Sequence, residues 1–300
     1  MTILILGKDG QVGLELQRSL SMLDLVVACG RAEVNLEDAD TLRRLVATLN
    51  PRLIVNAAAY TAVDKAESEP ERAMLVNAQA VGVLAEVADR LGAWVVHYSS
   101  DYVFDGSKPA PYLEDDATGP LSAYGRSKLE GEVRLAAASP RHLILRTSWV
   151  YARRGANFAR TMLRLAAERA AFDVVADQRG APTAAEMIAD VTAIVARVLL
   201  ADVAADRLAG VYHLAPAGET TWHGYARFMV ERAGHNGWAL KAKPEAIRPI
   251  PTSAWPTAAR RPANSRLSTA KLAATFGLTM PDWRLHVGRM VDDLTLGGLR

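Results

Sequence analysis

The chain opens on an apolar run, Ile3-Leu4-Ile5-Leu6, that breaks into glycines at positions 7, 10 and 13. Such a run fits a strand buried on both faces, followed by a tight turn and the start of a helix. Similar apolar runs recur at Leu25 to Ala28, Leu53 onward into Ala57-Ala58-Ala59, Trp94 to Ser100 and Leu143 to Arg146. The stretches between them carry apolar residues at helical spacing: onward from Gly13 to about Met22, Asp38 to Leu49, Pro70 to Leu91, and a helix from Tyr124. Strands separated by helices of this length are βαβ units with right-handed crossovers. The pattern therefore predicts an α/β fold, a Rossmann-like doubly wound parallel sheet with helices on both faces.

Beyond about residue 150 the rhythm changes. A helix is predicted over Phe158 to Ala170, and short apolar strands at Val174-Val175 and Val211 to Leu214 are interleaved with helices near 184–201, 222–233, 268–276 and 283–296. The segment from Arg248 to Pro262 is rich in proline and arginine and reads as a loop, since proline lacks the N–H that a regular element needs. Residues 1–150 are expected to form a dinucleotide-binding domain, with about 176–202 returning to it. Residues 151–300 are expected to form mainly a smaller α/β substrate-binding lobe.

Composition narrows the partners. Half of the 300 residues are hydrophobic and 23% are charged, with 35 Lys plus Arg against 33 Asp plus Glu. That near-balance argues against nucleic acid or a membrane surface, either of which favours a concentrated basic excess. Cys29 is the single cysteine, so no intrachain disulfide is possible. With no signal-peptide pattern at the start, a cytoplasmic location is expected. The histidines at 97, 142, 213, 223, 235 and 286 lack metal-ligand spacing and read as core or surface residues.

Candidate chemistry gathers at the carboxyl ends of the predicted strands, where open α/β sheets bind ligands. Gly7 and Gly10 permit a turn that leaves bare N–H groups at a helix N-terminus, a site suited to a pyrophosphate, and Gly13 lets the helix lie close to the strand. Ala57, Ala58 and Ala59 would let a flat ligand lie against backbone. Arg31, just past the second strand, is placed to grip a 2′-phosphate, which favours NADPH over NADH. Tyr124 and Lys128 are four residues apart, hence on one helix face. The ammonium is expected to pull the phenol pKa down from about 10 toward useful acid–base strength, and to hold a ribose hydroxyl. Ser100, at the end of the fourth strand, is placed to bind a carbonyl oxygen on which charge develops. Val63, Asp101, Tyr102, Trp149 and Asn157 fall at or near the same strand ends, where a substrate would lie. Trp149 offers an apolar platform, and Arg260 or Arg261 could meet a diphosphate.

In the runs Gly7 to Gly13, Asn56 to Glu67 (NAAAYTAVDKAE), Ser99 to Gly106 (SSDYVFDG), Tyr124 to Lys128, Arg146 to Tyr151 (RTSWVY), Gly180 to Thr183 and Arg260 to Ser265, the chain resembles the extended short-chain dehydrogenases. Within them it resembles the dTDP-4-dehydrorhamnose reductase family, over nearly its whole length. The resemblance implies reduction of the C4 ketone of a dTDP-4-dehydro sugar, giving dTDP-L-rhamnose for rhamnose-containing glycoconjugates such as O-antigen. It implies Ser100, Tyr124 and Lys128 as catalytic residues. Gln11, Val12, Asn35, Leu36 and Thr61 would join the glycines, Arg31, the alanines and Lys128 at the cofactor, NADPH or alternatively NADH. It further implies a homodimer bridged by Mg²⁺ on Glu15, Glu186 and Asp293. Three positions depart from the family pattern: Asn35 where aspartate is usual, Ser100 where threonine is usual, and Asp293 where glutamate is expected. Two rival readings are a nucleotide-sugar dehydratase or epimerase and a non-catalytic nucleotide-binding subunit. Asp101-Tyr102 after Ser100 lacks the acidic pair of a dehydratase, and retention of Ser100, Tyr124 and Lys128 favours an enzyme.

Overall fold

The computed structural model describes residues 2–201 and 204–297. From the N-terminus, β1 (Thr2–Leu6), α1 (Gln11–Leu20), β2 (Leu25–Cys29), α2 (Ala39–Leu49) and β3 (Leu53–Asn56) form the first βαβαβ half. The second half runs through α3 (Pro70–Met74), a π-helical turn at Leu75–Gln79, α4 (Ala80–Leu91), β4 (Trp94–Ser100), α5 (Ala123–Ala138) and β5 (His142–Thr147). There follow β6 (Val150–Tyr151), α6 (Phe158–Glu168), β7 (Phe172–Val175), β8 (Arg179–Gly180), β9 (Thr183–Ala184) and α7 (Ala185–Ala201). The chain closes with β10 (Gly210–His213), β11 (Thr220–Thr221), α8 (Trp222–His235), β12 (Ile247–Ile250), α9 (Ala270–Phe276) and α10 (Trp283–Gly297).

Among the described residues the main sheet has six strands in the order β10-β5-β4-β3-β1-β2, all parallel. The order reverses between β1 and β3, and the ends of those strands open the binding crevice. One apolar cluster, with Leu4, Leu6, Val46, Ile54, Leu84 and Val95, fills the face covered by α2 and α4. The other cluster runs from Ile3, Ile5, Leu16 and Val96 through α7 into Tyr225, Trp283 and Val287 of the C-terminal part. No helix among the described residues is long and apolar enough to cross a membrane.

The structure differs from the sequence reading in several places. Pro70 to Leu91 is not one α-helix, because the π turn rotates Asn77 inward. There its Oδ1 accepts the Tyr60 N–H at 2.8 Å and its Nδ2 donates to Ser127 Oγ at 2.9 Å, tying the loop after β3 to α5. The proline-rich segment begins as a strand, since Ile247–Ile250 pairs in parallel with β7. Pro249 is tolerated because a two-stranded sheet leaves one edge of each strand free. β10 is not one of the separate short strands of the C-terminal part but the edge strand of the main sheet beside β5. α7 also packs on the main body, with Ser19 of α1 donating to Asp190 at 2.7 Å.

Candidate active site

The turn after β1 is built as its glycines require. Gly7 has φ +88°, and a Cβ there would stand 2.7 Å from the Ala58 nitrogen. Gly13 lies beneath the turn, where a Cβ would come within 1.9 Å of the Gly7 oxygen. α1 therefore meets β1 without a gap, and its N-terminus faces a cavity of about 780 Å³. Gly7, Gly10, Gln11, Val12, Arg31, Asn35, Leu36, Ala57, Ala58, Ala59 and Thr61 line one part of it. Val63, Ser100, Asp101, Tyr102, Tyr124, Lys128 and Trp149 line another part. An elongated ligand with an anionic middle fits this lining, since the glycine turn and helix N-terminus offer N–H donors that no Cβ obstructs.

Around Arg31 the lining is mixed in charge. Glu33 accepts the Gly30 N–H at 2.7 Å and pairs with Lys8, and an Asp9 oxygen lies against Gly30. Arg31 is exposed in this loop.

At the other end, Ser100 is the N-cap of a short 3₁₀ turn. Its Oγ accepts the Tyr102 N–H at 3.2 Å and donates to Asp101 Oδ1 at 3.0 Å. Tyr124 sits in the first turn of α5, whose N-cap Ser122 accepts the Gly125 N–H at 3.1 Å. The Tyr102 and Tyr124 rings meet edge to face at 5.6 Å. Burial pushes the Tyr124 phenol up to about 12; the Asp101 carboxylate adds to this, and the Ser100 hydroxyl draws it part of the way back. The expected lowering by Lys128 is absent. Lys128 Nζ instead lies 3.2 Å from His97 Nε2, and burial brings the lysine down to about 8. Burial also lifts the Asp101 carboxyl to about 6, against the Ser265 and Ser100 hydroxyls.

Several expected contacts are different. Asn157 is the N-cap of α6, accepting the Arg160 N–H at 3.1 Å, while its amide donates to Gln11 Oε1 and to the Ala152 carbonyl. It braces the cavity wall, and Gly155 and Ala156 line the cavity in its place. Trp149 adopts φ +48°, a left-handed conformation rare outside glycine, and stacks on Trp222 with centroids 3.7 Å apart. A Cβ on Gly180 would meet the Trp149 rings at 2.6 Å, so the indole is held from more than one direction and is a less open platform than expected. Arg260 is exposed and outside the cavity lining. Arg261 also lies outside the lining, turned to Asp64 at 2.8 Å, and is placed close enough to Tyr102 for its charge to be felt there.

The three carboxylates implied for Mg²⁺ are each paired with arginine: Glu15 with Arg18 at 3.1 Å, Glu186 with Arg289 at 3.1 Å, and Asp293 with Arg153 at 3.6 Å. No group of three or more His, Cys, Asp or Glu among the described residues could hold a metal ion. Within one chain these carboxylates therefore do not make a metal site. The sequence reading missed Asn56 and His97, which stand side by side on β3 and β4 and reach Lys128. The signal available was Asn56 at the head of the strand-end run and His97 three residues before Ser100.

A glycine turn at the switch point of a parallel sheet, facing a tyrosine and lysine one helical turn apart across a single cavity, is the architecture of an extended short-chain dehydrogenase. The RmlD substrate binding domain family model matches residues 1–296. The dTDP-4-dehydrorhamnose reductase of Escherichia coli K12 is 49% identical over 302 residues, with 98% of each chain covered. That of Burkholderia thailandensis is 51% identical over 295 residues, covering 98% of this chain and 99% of its own. A crystal structure of the Bacillus anthracis dTDP-4-dehydrorhamnose reductase in complex with NADP superposes with a TM-score of 0.87 at 30% identity, covering 96% of this chain and 98% of that one. The chain belongs to the RmlD family, the dTDP-4-dehydrorhamnose reductases.

Proposed function

We propose that this protein reduces the C4 ketone of dTDP-4-dehydro-L-rhamnose to dTDP-L-rhamnose in the cytoplasm, using NADPH or NADH. The observation that carries the proposal is the convergence of Ser100, Tyr124 and Lys128 on the cavity that the glycine turn of α1 also faces. A reduced nicotinamide bound along that turn would supply the hydride. Gly7, Gly10, Gln11 and Val12 would hold its pyrophosphate, Ala57 to Ala59 and Thr61 its flat and ribose portions, and Asn35 and Leu36 its adenine. Arg31 offers a fork for a 2′-phosphate, but the nearby Glu33 and Asp9 oppose an anion, which supports use of both coenzymes.

Tyr124 is the proton donor to the forming alkoxide. Its phenol, pushed up to about 12 by burial, stays protonated at neutral pH, as a general acid in a reduction requires. Ser100 turns its hydroxyl from Asp101 to the same oxygen, stabilising charge where it develops. Lys128 would hold the ribose of the coenzyme, and its ammonium would return a proton toward Tyr124. Residues after about 150, together with Val63, Asp101, Tyr102 and Trp149, form the lobe and walls that take the sugar nucleotide. Arg261 closes that side through Asp64.

Assembly as a homodimer is part of the proposal. Exposed Leu14, Ile194 and Leu285 stand one helical turn from Arg18, Asp190 and Arg289. Those charges link α1 to α7 and α7 to α10 through Arg18–Asp190 and Glu186–Arg289, which supports reading the three apolar residues as parts of one surface. Mg²⁺ would enter there only between two copies.

Tyr124→Phe tests the catalytic reading. With sugar nucleotide supplied by the preceding enzymes, turnover should fall roughly 10²–10⁴-fold while NADPH binding is kept. A variant retaining more than about a tenth of wild-type turnover rejects the role.

A further inference from the structure

Lys128 ends a chain of buried side chains whose donors and acceptors can be counted. Asn56, His97 and Lys128 are 1%, 0% and 2% exposed. Asn56 Oδ1 accepts the Ala58 N–H at 3.2 Å, which leaves Nδ2 facing His97 Nδ1 at 3.1 Å. An amide nitrogen only donates, so Nδ1 is the acceptor. Burial, with Lys128 beside it, holds His97 well below its ordinary pKa and hence neutral. A neutral imidazole that accepts at Nδ1 carries its proton on Nε2.

That proton points at Lys128 Nζ, 3.2 Å away, and only an amine lone pair can receive it. An ammonium would need the opposite arrangement, a lone pair on Nε2 and the proton on Nδ1. The Asn56 amide would then have to turn over and release Ala58. The other titratable groups around Lys128 are few. Glu132, one turn on, favours the ammonium, but it is held by Arg146 of β5 at 2.6 Å in a buried pair. Tyr124 lies one turn back, with Asp101 of the turn after β4 beyond it.

We propose that Asn56 and His97 are positioning residues that set the charge of Lys128, and that protonation of the lysine is transmitted through the Asn56 amide to Ala58 in the cofactor wall. Ala58 lines the cavity and its nitrogen stands 2.7 Å from where a Gly7 side chain would begin, so a turned amide is felt where the dinucleotide would lie. The consequence for turnover rests on the reductase reading: Lys128 needs its ammonium form to return a proton to Tyr124, so activity should fall as pH rises through the lysine pKa.

The first test is independent of activity. In protein labelled with ¹⁵N-histidine, two-bond proton–nitrogen spectra at pH 9.5 should show His97 as the Nε2–H tautomer; an Nδ1–H tautomer there overturns the proposal. The second is Asn56→Asp, which keeps the acceptor for Ala58 but puts a carboxylate against Nδ1. The proton then moves to Nδ1, Nε2 becomes an acceptor, and the ammonium is favoured. The alkaline limb of kcat should move up by about one pH unit, and a limb left in place overturns the proposal. Should that variant fail to fold, the wild-type tautomer decides alone. The expected tautomer in a protein inactive toward the 4-keto sugar nucleotide would reject the reductase reading and leave this one standing.

Discussion

Asp101 illustrates how a single residue links the site to stability. Its carboxyl is 2% exposed, and burial lifts its pKa from 3.8 to about 6 against the hydroxyls of Ser265 and Ser100. The folded state therefore binds more protons than the unfolded state between pH 4 and 6, so this group's contribution to stability declines as pH rises through that window. The penalty is complete above pH 6 and absent below about pH 4. Asp101→Asn should thus stabilise the protein by about 2–3 kcal/mol at pH 7.5, from roughly two units at about 1.4 kcal/mol each, and by far less at pH 4.5. Urea midpoints of variant and wild type at the two pH values check this, and an equal gain at both would trace the effect to packing. Comparing the two proteins removes the opposing contributions of His97 and His213, whose depressed pKa values weaken the fold as pH falls. At this scale the sequence singled out Ser100, Tyr124 and Lys128 by type and spacing, and the fold brings all three to one cavity. The sequence did not reveal that Lys128 turns to His97, since that depends on which neighbour β4 presents to α5.

At the scale of elements, the close approach of α1 to β1 holds the glycine-turn end of the cavity together. Gly13→Ala places a methyl 1.9 Å from the Gly7 oxygen, and the helix cannot slide without moving the turn that faces the cavity. Overpacking of this kind costs about 1–3 kcal/mol. The melting temperature should fall by several degrees, and NADPH affinity, read by fluorescence titration, should weaken at least about tenfold as the N–H donors are displaced. An unchanged melting temperature and affinity would show that the turn tolerates a Cβ. The helices and long strands were legible because their apolar periodicity is local. The π turn at Leu75–Gln79 was not, since it is set by the partners Asn77 finds on Tyr60 and Ser127. Neither was the β12 strand through Pro249, whose pairing with β7 is remote in sequence.

For the whole molecule, the exposed apolar residues and crossed ion pairs of α1, α7 and α10 predict two chains in solution. Light scattering at micromolar protein should give twice the mass of one chain, and Leu285→Arg should return it to one. EDTA should leave the wild-type mass unchanged if arginine alone neutralises Glu15, Glu186 and Asp293, whereas a fall in mass would assign Mg²⁺ to the interface. A single-chain mass for the wild type would reject the dimer.

The hydrophobic pattern by itself determined the parallel α/β core, and the spaced glycines, Ser100, Tyr124 and Lys128 marked positions that the fold brings to one cavity. Both are local properties: a buried strand needs an apolar run, a phosphate turn needs absent side chains, and a helix brings residues i and i+4 to one face. Only the tertiary structure decided that β10 completes the main sheet, that Asn157 and Arg261 brace the cavity from outside its lining, and that Trp149 is held in a left-handed backbone against Trp222. It also decided that Lys128 answers to His97 and Asn56. Each of these depends on donors, acceptors and surfaces supplied by segments far apart in the chain, and no local pattern carries that information.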